Sequence, residues 1–251
     1  MSALQGKTAV VMGASGTSNF GTAIARKLAS EGANVVVSAR RKEPLQALAT
    51  EISGLAVACD VTDEAQIDAL FAAATAQYGR VDIAVNSSGI HSSVLIADIT
   101  AEDIRPTLEV SFIGALLFFK HAAKAMPNGG SVITVSSLTA RLPGPTLAAY
   151  SGARAGIDYA IKVAAVEYAA QKVRFNSIAA GLIQTDMTEM FFGMDPIIDA
   201  HLKATPAGRM GTLDDIAEAA AFLANETKSG YINGQVLDLA GGQQMGQLPT
   251  F

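Results

Sequence analysis

Short β-branched runs alternate along this chain with alanine-rich segments of helical length, and that alternation restricts the fold more than any other feature. Val10-Val11-Met12, Val35-Val36-Val37, Val81 to Val85 and Ser131 to Val135 read as buried strands, followed by Val173 to Ile178 and Gln235 to Asp238. Ala23 to Ala29, Glu64 to Ala76, Leu108 to Ala125 and Ala155 to Ala169 read as helices by length and apolar spacing. Strands separated by helices pair in parallel, and the helices then cover both faces of the sheet. The expected class is α/β, with a doubly wound parallel sheet of about seven strands. No repeat, low-complexity tract or Pro/Ser-rich linker divides residues 1–251, so one domain is expected.

Composition narrows the function classes. Half of the residues are hydrophobic and 16% are charged, a balance suited to a buried sheet. A net charge of −5 without a basic cluster argues against nucleic acid as a partner. The single cysteine, Cys59, excludes an internal disulfide and offers no metal-ligand spacing, and is expected in the core. The segment Met1 to Lys7 has no signal-peptide character, and no apolar run reaches membrane-spanning length. A cytoplasmic protein with neither a metal nor a membrane partner is the expectation.

Ligands of open parallel sheets bind beyond the carboxyl ends of the strands. Gly13, Arg40, Asp60, Asn86, Ser137 and Gly181 each fall at or just past an expected strand end. The turn Gly13-Ala14-Ser15-Gly16-Thr17-Ser18-Asn19-Phe20-Gly21 runs from strand to helix. Its glycines let the backbone approach a pyrophosphate, which a helix N-terminus favours, although a tight strand–helix connection reads the same way. The second strand ends in Ser38-Ala39-Arg40-Arg41, with no acidic residue to bond a ribose hydroxyl. Arginine there suits an adenosine 2′-phosphate, so NADP is favoured and NAD is the alternative.

At the other end of the cleft, Ser137 precedes Tyr150 by thirteen residues and Arg154 follows it by one helical turn. A free tyrosine, with a pKa near ~10, is a poor base at neutral pH. A cation on the same helix face favours the phenolate.

From Gly6 to Gly242 these motifs resemble the short-chain dehydrogenase/reductase family, whose fold is a Rossmann-type sheet. Ser-x12-Tyr matches the family's serine and tyrosine, which hold the substrate oxygen and carry the hydroxyl proton. Arg154 stands where the family has the lysine that binds the nicotinamide ribose. Ser111 stands where it has the asparagine that orders a water beside that lysine. A guanidinium does not copy a compact ammonium that sheds protons, and a serine is shorter than an asparagine. The resemblance makes Tyr150, Ser137, Arg154 and Ser111 the catalytic candidates. Gly13 to Gly21 resembles the TGxxxGxG turn, with Met12 for threonine and a loop two residues longer. It makes Gly13, Ser15, Ser18, Asn19, Phe20 and Gly21 cofactor candidates. The longer loop is similar to that of the divergent enoyl reductases of the same superfamily, but their Tyr-x6-Lys is absent, because Ile157 stands there.

The remaining cofactor candidates follow the same resemblance. Asp60 and Val61 match the adenine segment. Asn86 and Gly89 match the first and last residues of the NNAG turn. Gly181, Ile183 and Thr185 match the PGxxxT stretch at the nicotinamide end, with Ala180 for proline.

Residues from about 186 to 205 correspond to the segment that folds over the substrate. Met187 and Phe191 within it, with Leu138 and Leu147, imply a hydrophobic small-molecule substrate. His91 lies near the cleft and reads more readily as a solvated loop histidine. The implied activity is hydride transfer between NADP(H) and a ketone or secondary alcohol, in a homotetramer. The alternative is a non-catalytic or cofactor-sensing subunit that pairs with an active paralogue in a hetero-oligomer.

Overall fold

A computed structural model describes residues 3–246. Seven parallel strands form one sheet in the order β3-β2-β1-β4-β5-β6-β7. They are β1 Thr8–Met12, β2 Asn34–Ala39, β3 Leu55–Ala58, β4 Ile83–Asn86, β5 Gly130–Ser137, β6 Val173–Ala180 and β7 Val236–Leu239. β1, β4, β5 and β6 are almost wholly buried, as strands covered on both faces must be. Alternation along β1 divides the core: Ala9 and Val11 join one apolar cluster, Val10 and Met12 the other. The expected α/β class, sheet and single domain are observed.

The helices are α1 Phe20–Ser30, α2 Lys42–Glu51, α3 Glu64–Tyr78, α4 Ala101–Leu108, α5 Gly114–Ala125, α6 Ala148–Glu167, α7 Glu189–Phe192, α8 Asp195–Ala204, α9 Leu213–Ala224 and α10 Glu226–Ser229. Several details depart from the sequence reading, among them α6, which begins at Ala148 rather than Ala155, and α4 and α9, which were not expected. β3 is a four-residue edge strand, too short and too exposed to carry a clear β-branched signature. α2 has a weakly apolar face, with its proline in the first turn, where a missing N–H costs little. The helix expected over Leu108 to Ala125 is interrupted by a π-helical turn, Glu109–Ile113, which joins α4 to α5.

Strand order reverses between β1 and β4, and the main cavity opens at the carboxyl ends of these strands. Registers Met12↔Ser38, Met12↔Asn86 and Ser137↔Ala180 bring the chemically distinctive strand ends to one edge.

Candidate active site

A cavity of about 1210 Å³ runs from the end of β2 to the start of α6. At one end Arg40, Arg41, Cys59, Asp60 and Val61 form the wall; at the other stand Ser137, Leu138, Leu147 and Tyr150. Cys59 is a core thiol: burial, then the Asp60 charge, push it up to about 11.

The glycine turn is shaped by Ser87. The Ser87 hydroxyl donates to the Met12 carbonyl at 2.7 Å and fills the space beside two glycines. A Cβ on Gly13 (φ +90°) would lie 2.7 Å from Ser87 Oγ, and one on Gly21 would lie 2.6 Å from it. Both positions therefore need glycine, which keeps the cradle at the end of β1 open. Asn19 lines the cavity while its side chain caps α1, accepting the Thr22 N–H at 2.8 Å. Gly13, Ser15, Phe20 and Gly21 also line the cavity.

Ser18 does not line it. Its N–H donates to Asp186 Oδ1 at 3.1 Å, the Thr17 hydroxyl donates to the same oxygen at 3.1 Å, and the Asp186 N–H donates to the Ser18 carbonyl at 2.8 Å. The long loop is thus tied to the segment after β6 by an internal carboxylate. Sequence reasoning missed Asp186, because nothing local signals a partner 168 residues away. Arg41 donates to the Ser15 carbonyl at 2.7 Å, while Arg40 reaches the cavity with no such bond among the described residues.

Asn86 also stands behind the wall. It is buried, and its carbonyl oxygen accepts both the N–H and the hydroxyl of Ser88, so the side chain shapes the turn. Asp60 Oδ1 accepts the Thr62 N–H at 3.0 Å and its hydroxyl at 2.9 Å. Gly181 packs on Ala240, with no room to spare for a Cβ. Ile183 and Thr185 line the cavity, and Thr188 bonds both, donating to the Ile183 carbonyl at 2.6 Å and accepting the Thr185 N–H at 2.9 Å.

β5 delivers Ser137 and α6 delivers Tyr150. Ser137 Oγ accepts from the Thr139 N–H at 3.2 Å and from the Thr139 hydroxyl at 3.0 Å, which orients it at the strand end. Arg154 and Ser111 do not line the cavity. The Arg154 side chain is buried behind Tyr150, its Cζ 5.3 Å from the ring centroid. Its Nη1 donates to the Val135 carbonyl at 2.9 Å, both terminal nitrogens lie 3.4 Å from the Ser88 carbonyl, and Nε has no partner. Among the described residues no carboxylate bonds it. Gly89, another cofactor candidate, lies against this guanidinium, since any Cβ there would collide with Nη2. Ser111, on the π-helical turn, is buried with its hydroxyl unpaired.

Arg141, for which the sequence holds no signal, positions this end of the site. It bonds Asp158 of α6 at 3.2 Å and also Asp238 of β7. Burial raises the Asp158 carboxyl, against the bonds from Ser177 and Arg141 that favour its charge. Over the cleft, Met187 and Phe191 line the cavity from the 186–205 segment, which folds into α7 and α8. Among the described residues no group of three or more His, Cys, Asp or Glu is placed to hold a metal ion. No helix there is long and apolar enough to cross a membrane.

Strand order, cleft and the Ser137–Tyr150 pair define a class of dinucleotide-dependent enzyme, and comparison with known proteins gives the family. The family model described as enoyl-(acyl carrier protein) reductase matches residues 13–244. An uncharacterized oxidoreductase of Methylorubrum extorquens is 38% identical over 96% of this chain and 99% of its own. The 3-oxoacyl-(acyl-carrier-protein) reductase FabG of Escherichia coli is 34% identical over 96% and 98%. The structure of a short-chain type dehydrogenase/reductase from Mycobacterium ulcerans superposes with a TM-score of 0.93, at 28% identity, over 99% of this chain and 93% of that one. The chain belongs to the short-chain dehydrogenase/reductase family.

Proposed function

We propose that this protein transfers a hydride between NADP(H) and a ketone or secondary alcohol on a hydrophobic small molecule. The observation that carries the reading is one continuous cavity with Arg40 and Arg41 at one end and Ser137 and Tyr150 at the other. The cradle fits a dinucleotide: Gly13 and Gly21 are kept bare against Ser87, and α1 points its N-terminus at the turn. Bound NADP(H) supplies or accepts the hydride.

The chain's own residues do the rest. Gly13 to Gly21 hold the diphosphate, and the free fork of Arg40 takes the 2′-phosphate, with Arg41 beside it. Asp60 and Val61 border the adenine, and Gly181, Ile183 and Thr185 the nicotinamide end. Ser137 donates to the substrate oxygen. Tyr150 gives that oxygen its proton in reduction and takes it in oxidation. Arg154 acts through Tyr150, as a fixed positive charge behind the ring. Leu138, Leu147, Met187 and Phe191 supply the apolar contact, with residues 186–205 as the lid. The relatives support carbonyl chemistry, among them a carbonyl reductase family member 4 of Xenopus laevis and a D-threitol dehydrogenase of Mycolicibacterium smegmatis.

One observation favours the second reading, a non-catalytic subunit beside an active paralogue: neither Arg154 nor Ser111 reaches the cavity. The test is direct. NADPH added to the purified chain should raise its melting temperature more than NADH, and should be consumed with a ketone panel. Binding without consumption would leave the sensing role; no binding at all would sink the reading. For assembly we propose a cytoplasmic homotetramer, supported by the exposed apolar residues Leu116 on α5 and Val163 and Val166 on α6, and checked by light scattering.

A further inference from the structure

The ring of His91 lies against Tyr150, with centroids 5.5 Å apart at 50°. Phe191 of α7 also approaches it, 6.3 Å away edge to face. His91 itself lines the cavity and keeps part of its surface exposed. We propose that His91 carries the proton between bulk water and the Tyr150 hydroxyl. The proposal rests on the oxidoreductase reading above.

Each turnover leaves Tyr150 one proton short or one in excess, so some group must restore it. The Arg154 guanidinium is committed to the Val135 and Ser88 carbonyls, and a guanidinium is a poor proton carrier. The Ser111 hydroxyl is buried and bonded to nothing. Lys162, twelve residues along α6, is roughly 18 Å from Tyr150 along the helix and lies over Tyr159 instead. Among the described residues, none of these three side chains is placed to pass a proton to Tyr150 from its buried side.

On the cavity side the chemistry is available. The groups facing His91 are Tyr150 on α6, with Arg154 behind that ring, and Phe191 on α7; His201 of α8 and Asp186 line the same cavity. Burial of part of the imidazole holds it below the ordinary histidine range, so the neutral form predominates near neutral pH and exchanges protons readily. In reduction, Tyr150 gives its proton to the substrate oxygen as the carbonyl carbon receives the hydride. A protonated His91 then gives one to the phenolate, through one water at this spacing, and is reprotonated from solvent. Oxidation runs the same transfers in reverse, so protons balance in both directions. Phe191 packs against the same imidazole, which couples the relay to the lid.

The test uses NADPH-dependent reduction of ethyl acetoacetate and acetophenone across pH, with the intact protein. His91→Ala should lower kcat about tenfold to a hundredfold, with KM moved far less, and should lose the pH-profile limb nearest neutrality. Added imidazole should restore His91→Ala. His91→Asn, similar in shape but unable to titrate, should stay slow. Wild-type kcat and an unchanged profile in His91→Asn, or no rescue by imidazole, would overturn the relay alone. A wild-type protein inactive on both ketones would overturn the oxidoreductase reading and the relay with it. A second measurement does not depend on turnover: NMR titration of the three histidines. Tyr150→Phe should shift the His91 midpoint, and an unmoved midpoint would also overturn the relay.

Discussion

The Arg154 guanidinium sits 5.3 Å from the centroid of the Tyr150 ring, and its hydrogen bonds go to main-chain carbonyls with no carboxylate among them. The buried cation lies beside the phenol to which the proposed function gives the proton. In that reading Arg154 keeps the electrostatic part of a relay without the part that moves protons.

Arg154→Met removes that charge while filling similar space. Alcohol oxidation should shift to higher pH, and kcat near neutrality should fall about tenfold to a hundredfold. The Val135 carbonyl loses its donor, so stability should drop by about 1–3 kcal/mol. Arg154→Lys should recover part of the rate, because the charge remains. Steady-state pH profiles and chemical denaturation read both effects; an unshifted oxidation profile in Arg154→Met would remove the electrostatic role.

The glycine cradle makes a different prediction. A Cβ at Gly21 meets Ser87 Oγ at 2.6 Å and the Gly13 carbonyl oxygen at 2.7 Å. Gly21→Ala should therefore destabilise the chain by about 2 kcal/mol and abolish NADPH-induced stabilisation. Ser87→Ala removes one of the two obstructions, so the double variant should regain part of the stability. Thermal melts with and without NADPH decide it, and strictly additive losses would refute the shared contact.

These sites differ in how far they can be read from the chain. Ser137 and Tyr150 were legible, because their spacing follows a strand and opens a helix, and local periodicity fixes both. Helix spacing also places Arg154 on the face of Tyr150, but it cannot show that the guanidinium turns inward. The carbonyls that turn it come from Val135 and Ser88, 19 and 66 residues away in sequence. Ser111 looked like a simple exchange for asparagine, whereas the π-helical turn that buries it shifts the helical register in a way a 3.6-residue pattern does not encode. The ties of Asp186 and Arg141 were invisible because each exists only once distant segments meet, and β3 because four half-exposed residues carry no clear β-branched pattern.

Asp82 predicts how the fold responds to acid. Its carboxylate, at the foot of β4, accepts from Arg80 Nε at 2.8 Å, from the Thr8 N–H at 3.0 Å and from Lys7 at 3.3 Å. Burial works against the charge, but these donors outweigh it and hold the carboxyl below its usual range. A depressed folded pKa stabilises above the unfolded value, about 3.9, and that contribution is lost as pH falls through the folded value. Asp82→Asn should cost about 1–3 kcal/mol at neutral pH, and the gap to wild type should close below about pH 4. Urea denaturation across that range checks the sign; a gap that widens in acid would contradict it.

Asp186 places a carboxylate within the loop proposed to cradle a diphosphate. It holds the Ser18 N–H and the Thr17 hydroxyl, donors of the kind that loop would offer a phosphate oxygen. A Cβ on Gly16 would also collide with this carboxylate, so loop and carboxylate are in close contact. Two negative groups in one small site repel, and the effect grows as water is excluded. Asp186→Asn keeps an acceptor for both donors and removes the charge. NADPH should then bind about threefold to tenfold more tightly, on the order of 1 kcal/mol, with the gain shrinking as salt is raised. Asp186→Ala also frees the loop from the segment after β6, so it should lower the melting temperature of the nucleotide-free protein where Asp186→Asn does not. Calorimetric titration at two ionic strengths separates charge from tether: equal NADPH affinity in wild type and Asp186→Asn would mean that the carboxylate only fastens the loop.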